Sequence, residues 1–131
     1  MKLRFRVIVK TLPQDAPKDF EMSAALIVAN YFKTDVIFLR PGRMKSPDLL
    51  VGQELWELKS PRGNSKNTIH NVFVTSRKQS YSVVIDLRYC KMHEKKALAR
   101  IRDAYNKRRR KKCQLLIITK KGSVLDVRDI I

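Results

Sequence analysis

The chain has 131 residues, enough for one hydrophobic core and too few for several domains. Hydrophobic residues at 44% and aromatics at 8% exclude a disordered polymer. With 29 Lys and Arg against 12 Asp and Glu, the net charge is +17, a field suited to a polyanionic partner.

No apolar run is long enough to span a membrane. The first ten residues, MKLRFRVIVK, interleave charge with apolar residues and form no signal-peptide core. The expected location is therefore cytoplasmic. Cys90 and Cys113 are too few for a disulfide framework or a zinc cluster and read as reduced thiols.

In chain order, Leu3, Phe5, Val7 and Val9 alternate with cations and predict a first, half-buried strand. The segment TLPQDAP ends it. Pro17 opens a helix that runs to Phe32, with Asp15 as a nearby cap. Phe20, Ala24, Ile27, Val28 and Tyr31 form its apolar stripe. Glu21 lies within that stripe. It is either a carboxylate favoured by the helix dipole or an acid directed at a site. Asp35 to Arg40 is a short apolar strand stopped by Pro41-Gly42.

The next stretch, KSPDLLVGQELWELKSPRG from Lys45 to Gly63, carries the chemistry. SPDLLV and ELWELKS are strand-like runs joined by Gly52-Gln53, which suits a type II′ hairpin turn. In that register Val51 faces Glu54, Leu49 faces Trp56 and Asp48 faces Glu57. Lys59 shares a face with Glu57 because side chains alternate along a strand. Two opposed carboxylates are unfavourable unless something compensates. Mg²⁺ or Mn²⁺ on Asp48 and Glu57 would compensate, and such ions leave room for a phosphate and water.

SPRGNSKNT follows as a polar loop, with Arg62 and Lys66 adding charge. A helix from Asn67 to Lys78 buries Ile69, Val72 and Phe73, with Asn64 or Ser65 as cap. Its N-terminus, bearing Ser65, Asn67 and Thr68, offers backbone N–H groups to a phosphate. His70 is nearby, where a surface histidine is commoner than a catalytic one. Tyr81 to Leu87 is a continuous apolar strand, with Asp86 expected to pair with Arg88. A helix from His93 to Lys111 buries Ala97, Ile101, Ala104 and Tyr105. It runs into six consecutive cations, Lys107 to Lys112. That run exceeds what capping needs, so Arg108, Arg109 and Arg110 are expected to contact a phosphate backbone. Gln114 to Thr119 and Val124 to Val127 close the chain as a buried strand and an edge strand. The expected fold is α/β: a single domain over residues 1–131, with a mixed β-sheet flanked by helices.

Pro47-Asp48 followed by Glu57-Leu58-Lys59 resembles the PD-(D/E)xK nuclease superfamily, which implies a restriction-endonuclease-like core. From about Pro17 to Val127 the chain further resembles the C-terminal tRNA nuclease toxin domains of contact-dependent growth inhibition proteins. That resemblance rests on PD at 47–48, ELKSPRG at 57–63, Asn67-Thr68, and Gln79-Ser80 followed by VVIDL. The delivery portion of such toxins is not part of this sequence, so an excised domain or a free-standing homologue is expected.

The resemblance implies metal-dependent phosphodiester hydrolysis of RNA, tRNA in particular, and an acidic immunity protein as partner. Asp48 and Glu57 would hold the metal, Glu21 would add a third acid, and Lys59 would position the attacking water. Thr68, with Ser65 and Asn67, would orient the scissile phosphate. Arg62, Lys66, Tyr81 and the basic helix end would engage the rest of the substrate. Three alternatives stay open: ribose 2′-OH attack with little need for metal, a DNA-cleaving member of the superfamily, and a non-catalytic basic nucleic-acid-binding protein.

Overall fold

Strands and helices follow one another in the expected order in the computed structural model, which describes residues 5–39, 48–77, 82–107 and 114–130. The elements are β1 (Val7–Val9), α1 (Asp19–Phe32), β2 (Val36–Phe38), β3 (Leu49–Val51), β4 (Glu54–Lys59), α2 (Thr68–Arg77), β5 (Ser82–Asp86), α3 (Glu94–Lys107), β6 (Leu115–Ile118) and β7 (Val124–Asp126). Both parallel and antiparallel pairs occur, and helices flank the strands, so the class is mixed α/β as expected. The chain divides into two compact units, residues 1–58 and 59–131, and the boundary falls inside β4.

In the first unit β1 pairs with β2 in parallel, and β2, β3 and β4 follow antiparallel. α1 packs through Ala24, Ala25, Val28 and Ala29, all fully buried. These small side chains let the helix lie close against large partners on the strands. Phe32 meets the ring of Trp56 at a centroid separation of 5.5 Å, and Trp56 is 1% exposed. α1 therefore covers the face that carries Leu49 and Trp56. Two expectations are corrected here. Tyr31 is 45% exposed rather than part of the buried stripe, because the stripe turns toward Ala25 and Ala29. Asp15 does not cap α1: it lies in a 3-10 turn, Pro13–Asp15, and the helix starts two residues after Pro17 with Lys18 at its cap.

In the second unit β5 and β6 pair in parallel, and β7 returns antiparallel beside β6. Every residue of β5 and β6 is buried, which accounts for their continuous apolar runs. Ile69 and Val72 of α2 and Ala97 and Ile101 of α3 share one core with Val83, Ile85 and Ile117. Cys90 is a buried free thiol in that core. Asp86, 1% exposed, accepts from Arg88 through both carboxylate oxygens, at 3.0 and 2.9 Å, as its position predicts. That hydrogen bonding raises the Arg88 guanidinium pKa further above its ordinary value, against the opposing effect of burial. No helix among the described residues is long and apolar enough to cross a membrane.

Candidate functional site

The β3–β4 hairpin has the register that its turn predicts: Val51 pairs with Glu54, Leu50 with Leu55 and Leu49 with Trp56. Gly52 has φ 61°, and among the described residues Lys33 is the one non-glycine with positive φ. Gln53 therefore has negative φ, the pattern of a type II′ turn rather than type I′. A side chain at Gly52 would meet nothing within 4 Å, so glycine is required there for conformation and not for space.

One step beyond the last paired residues, the register sets Asp48 across from Glu57. Two hydrogen bonds hold Asp48 there: the Leu39 N–H donates to its carbonyl at 3.0 Å, and the Leu58 N–H donates to its Oδ2 at 2.9 Å. Glu57 is 7% exposed. It lies between Trp56 and Leu58 on β4, so alternation turns it to the face opposite the one that α1 covers. Lys59 is the last residue of β4, two beyond Glu57, in the same alternating set. A half-buried and a buried carboxylate at positions across from each other in the hairpin offer hard-oxygen donors, the kind that divalent cations take with water completing the shell.

Glu21 takes a different position. Its Oε1 accepts from the Lys18 N–H at 2.9 Å, half of a capping box at the start of α1. Among the described residues no group of three His, Cys, Asp or Glu side chains is placed to hold a metal ion, so Glu21 does not join Asp48 and Glu57 in such a group.

The loop after β4 is built around Gly63 and Thr68. The Ser65 N–H donates to Thr68 Oγ1 at 3.1 Å, the two hydroxyls lie 3.2 Å apart, and the Thr68 N–H donates to the Ser65 carbonyl at 3.2 Å. This reciprocal arrangement starts α2 at Thr68, one residue later than expected. Ser65, Lys66 and Asn67 are exposed, and Thr68 is half-buried. Cys90 Sγ donates to the Gly63 carbonyl at 3.4 Å, and the Lys91 N–H donates to the Arg62 carbonyl at 3.1 Å. These bonds bring Arg62 to Tyr89. The Arg62 and Arg88 guanidinium carbons lie 5.3 and 5.2 Å from the centre of the Tyr89 ring, which is 47% exposed. An exposed ring flanked by two guanidinium groups is a surface on which a base can stack. Sequence reasoning missed Tyr89. An aromatic between Arg88 and Cys90 was a weak signal, and the approach of Arg62 from 27 positions away was none. Tyr81, Arg108, Arg109 and Arg110, and the Pro47 of the motif, lie outside the described residues.

The profile of the contact-dependent growth inhibition CdiA C-terminal domain family matches residues 45–124, which include the hairpin, the loop and both following helices. Among solved structures, the fold is similar to a chain of the CdiA-CT/CdiI toxin and immunity complex from Burkholderia pseudomallei. The TM-score is 0.59 and the identity 17%, over 92% of this chain and 97% of that one. No curated protein matches the sequence.

Proposed function

The chain belongs to the contact-dependent growth inhibition CdiA C-terminal domain family, and on that premise we propose that it is a toxin nuclease that hydrolyses phosphodiester bonds in RNA, with tRNA as the favoured substrate. The observation that carries the chemistry is the hairpin register, with Asp48 across from Glu57 and Lys59 two residues on. The resemblance of the sequence to the PD-(D/E)xK nucleases supports reading these three residues as the catalytic set.

The proposed roles follow from charge and position. Asp48 and Glu57 would hold Mg²⁺ or Mn²⁺, which would offset their mutual repulsion and, as a Lewis acid, polarise a phosphoryl oxygen. The Lys59 ammonium hydrogen-bonds the attacking water and stabilises the negative charge that builds on the phosphoryl oxygens in the transition state. In the second unit, Thr68, Ser65 and Asn67 bind phosphate, aided by Lys66 and the N-terminal N–H groups of α2. Arg62 engages flanking nucleotides, with Tyr89 stacking a base. Arg108, Arg109 and Arg110 add backbone contacts. Glu21 is not required in this scheme, since its bond to Lys18 already accounts for it.

The decisive assay is incubation with total tRNA, ribosomal RNA and duplex DNA, with and without EDTA. Cleavage of tRNA that EDTA abolishes, and that Glu57→Gln and Lys59→Ala lose with the fold intact, is the expected result. Retained activity in both variants would exclude this site. A 2′,3′-cyclic phosphate end would instead indicate attack by the ribose 2′-OH.

A partner is proposed on the same basis. The structural neighbour was solved as a toxin and immunity complex. A chain of +17 favours an acidic inhibitor, since complementary charge speeds association. Expression in a bacterium should be toxic for the wild type, harmless for Glu57→Gln, and relieved by an acidic protein encoded beside it. Harmless expression of a folded wild type would rule out the toxin reading.

A further inference from the structure

Residues 59–131 contain a cationic groove that begins at Lys66 and Asn67, beside the start of α2, and continues along α3. A cavity of about 410 Å³ opens between the N-terminal end of α2 and α3. That volume is within the roughly 300–1,000 Å³ typical of small-ligand sites. Lys66 and His70 line one side, and Arg100, Asp103 and Lys107 line the other. On α3 these three residues are spaced by three and four positions, so they form one stripe along the helix. Ile69 and Ala104 complete the wall with apolar surface.

The sides of this groove are fixed by packing. Ile69 shares a core with Ala97 and Ile101, which holds α2 and α3 side by side. Arg100 Nη1 donates to the Lys66 carbonyl at 3.2 Å, joining α3 to the residues just before α2. That bond uses one of the five guanidinium donors and orients the planar group at the groove. Asp103 has a cation of its own outside the groove, with its Oδ1 3.6 Å from Arg102 Nε. Three cations, Lys66, Arg100 and Lys107, therefore line the cavity against one carboxylate, Asp103, which also lies near Arg102. A solvated helix face would spread such charges apart, whereas here they share a concave space with an apolar wall.

We propose that this groove is a substrate subsite that takes a backbone phosphate of single-stranded RNA. Lys66, Arg100 and Lys107 are its cationic contacts, and the adjoining sugar lies against Ile69 and Ala104. The assignment rests on the nucleic-acid reading above and extends it to the body of α3, which holds none of the motif residues.

The test measures binding separately from cleavage. In the Glu57→Gln background, the affinity of a fluorescent single-stranded RNA 20-mer is followed against salt for Arg100→Gln and Lys107→Gln. Lys10→Gln, an exposed cation of the first unit, is the control for net charge. Each groove variant should raise Kd about 5- to 20-fold near physiological salt. Each should also lower the slope of log affinity against log salt by about 0.7, the value for one lost single-strand phosphate contact. The control should change Kd less than about 2-fold, because Lys10 does not line the groove. Equal losses in control and groove variants, unchanged affinity in the groove variants, or no RNA binding by the parent would each overturn the subsite. Arg100 also makes a structural bond, so Lys107→Gln, on the exposed last turn of α3, decides if Arg100→Gln fails to fold. Wild-type protein that binds through the groove yet cleaves nothing would refute the nuclease reading alone. Cleavage with groove variants that bind like the parent would refute the subsite alone.

Discussion

Gly63→Ala is a stringent test of how the loop before α2 is built. Gly63 does not have positive φ, so alanine suits its backbone. The obstacle is space. A Cβ at this position would sit 2.7 Å from Thr68 Oγ1. That is about 1 Å inside the ~3.5–4.0 Å optimum for non-bonded atoms. Thr68 has to rotate or move, and its Oγ1 is held by the Ser65 N–H at 3.1 Å and the Ser65 hydroxyl at 3.2 Å. Losing both bonds costs about 1–3 kcal/mol, at roughly 0.5–1.5 kcal/mol each. Urea unfolding followed by circular dichroism measures that loss. Thr68→Ala removes the clashing oxygen and leaves its own Cβ at 3.8 Å, an ordinary contact. In the double mutant the two costs should therefore fall short of their sum by about 1–2 kcal/mol. Cleavage should drop with Gly63→Ala as well, since displacing a phosphate-positioning group by ~1 Å can cost up to about 100-fold. A stability within about 0.5 kcal/mol of wild type, the usual range for a neutral surface change, would refute the close-approach argument. So would an additive double-mutant cycle.

Arg88→Met should destabilise by about 3–5 kcal/mol, because it leaves the buried Asp86 carboxylate without its guanidinium; Asp86→Leu combined with Arg88→Met should recover most of that loss. Asp126 is held below its ordinary pKa of 3.8, chiefly by its hydrogen bonds to the Arg128 side chain. A depressed carboxylate stabilises the fold above its unfolded pKa, and that contribution is lost as pH falls through the lower folded value. Wild type and Arg128→Ala should therefore differ in stability at pH 6 and converge as pH falls through the lowered Asp126 pKa; a constant difference in pH-dependent melting would contradict the linkage. Neutralising Arg108, Arg109 and Arg110 together should lower the salt slope of RNA binding by about 2, at roughly 0.7 per contact. An unchanged slope would remove that segment from the substrate footprint.

Local rules were enough to read much of this protein from its residues. The hairpin register followed from Gly52 and the alternation around it, because a two-residue turn leaves one pairing compatible with both apolar sets. Asp86 and Arg88 paired as their positions suggest, being two residues apart at the end of a buried strand. Tertiary structure decided what such rules do not reach. Glu21 sits in an apolar stripe by spacing. Its carboxylate caps the helix because α1 starts at Asp19, which makes Glu21 the third helical residue, within reach of the Lys18 N–H. The exposure of Tyr31 depends on which side of α1 meets Trp56. The division inside β4 has no linker composition to announce it. The approach of Arg62 to Tyr89 and the groove between α2 and α3 join residues 27 to 41 positions apart in the chain. Alternation and turn chemistry act over a few residues and are written in the chain. Which distant surfaces fit together depends on the shapes of whole packed faces, and these exist only once the fold has formed.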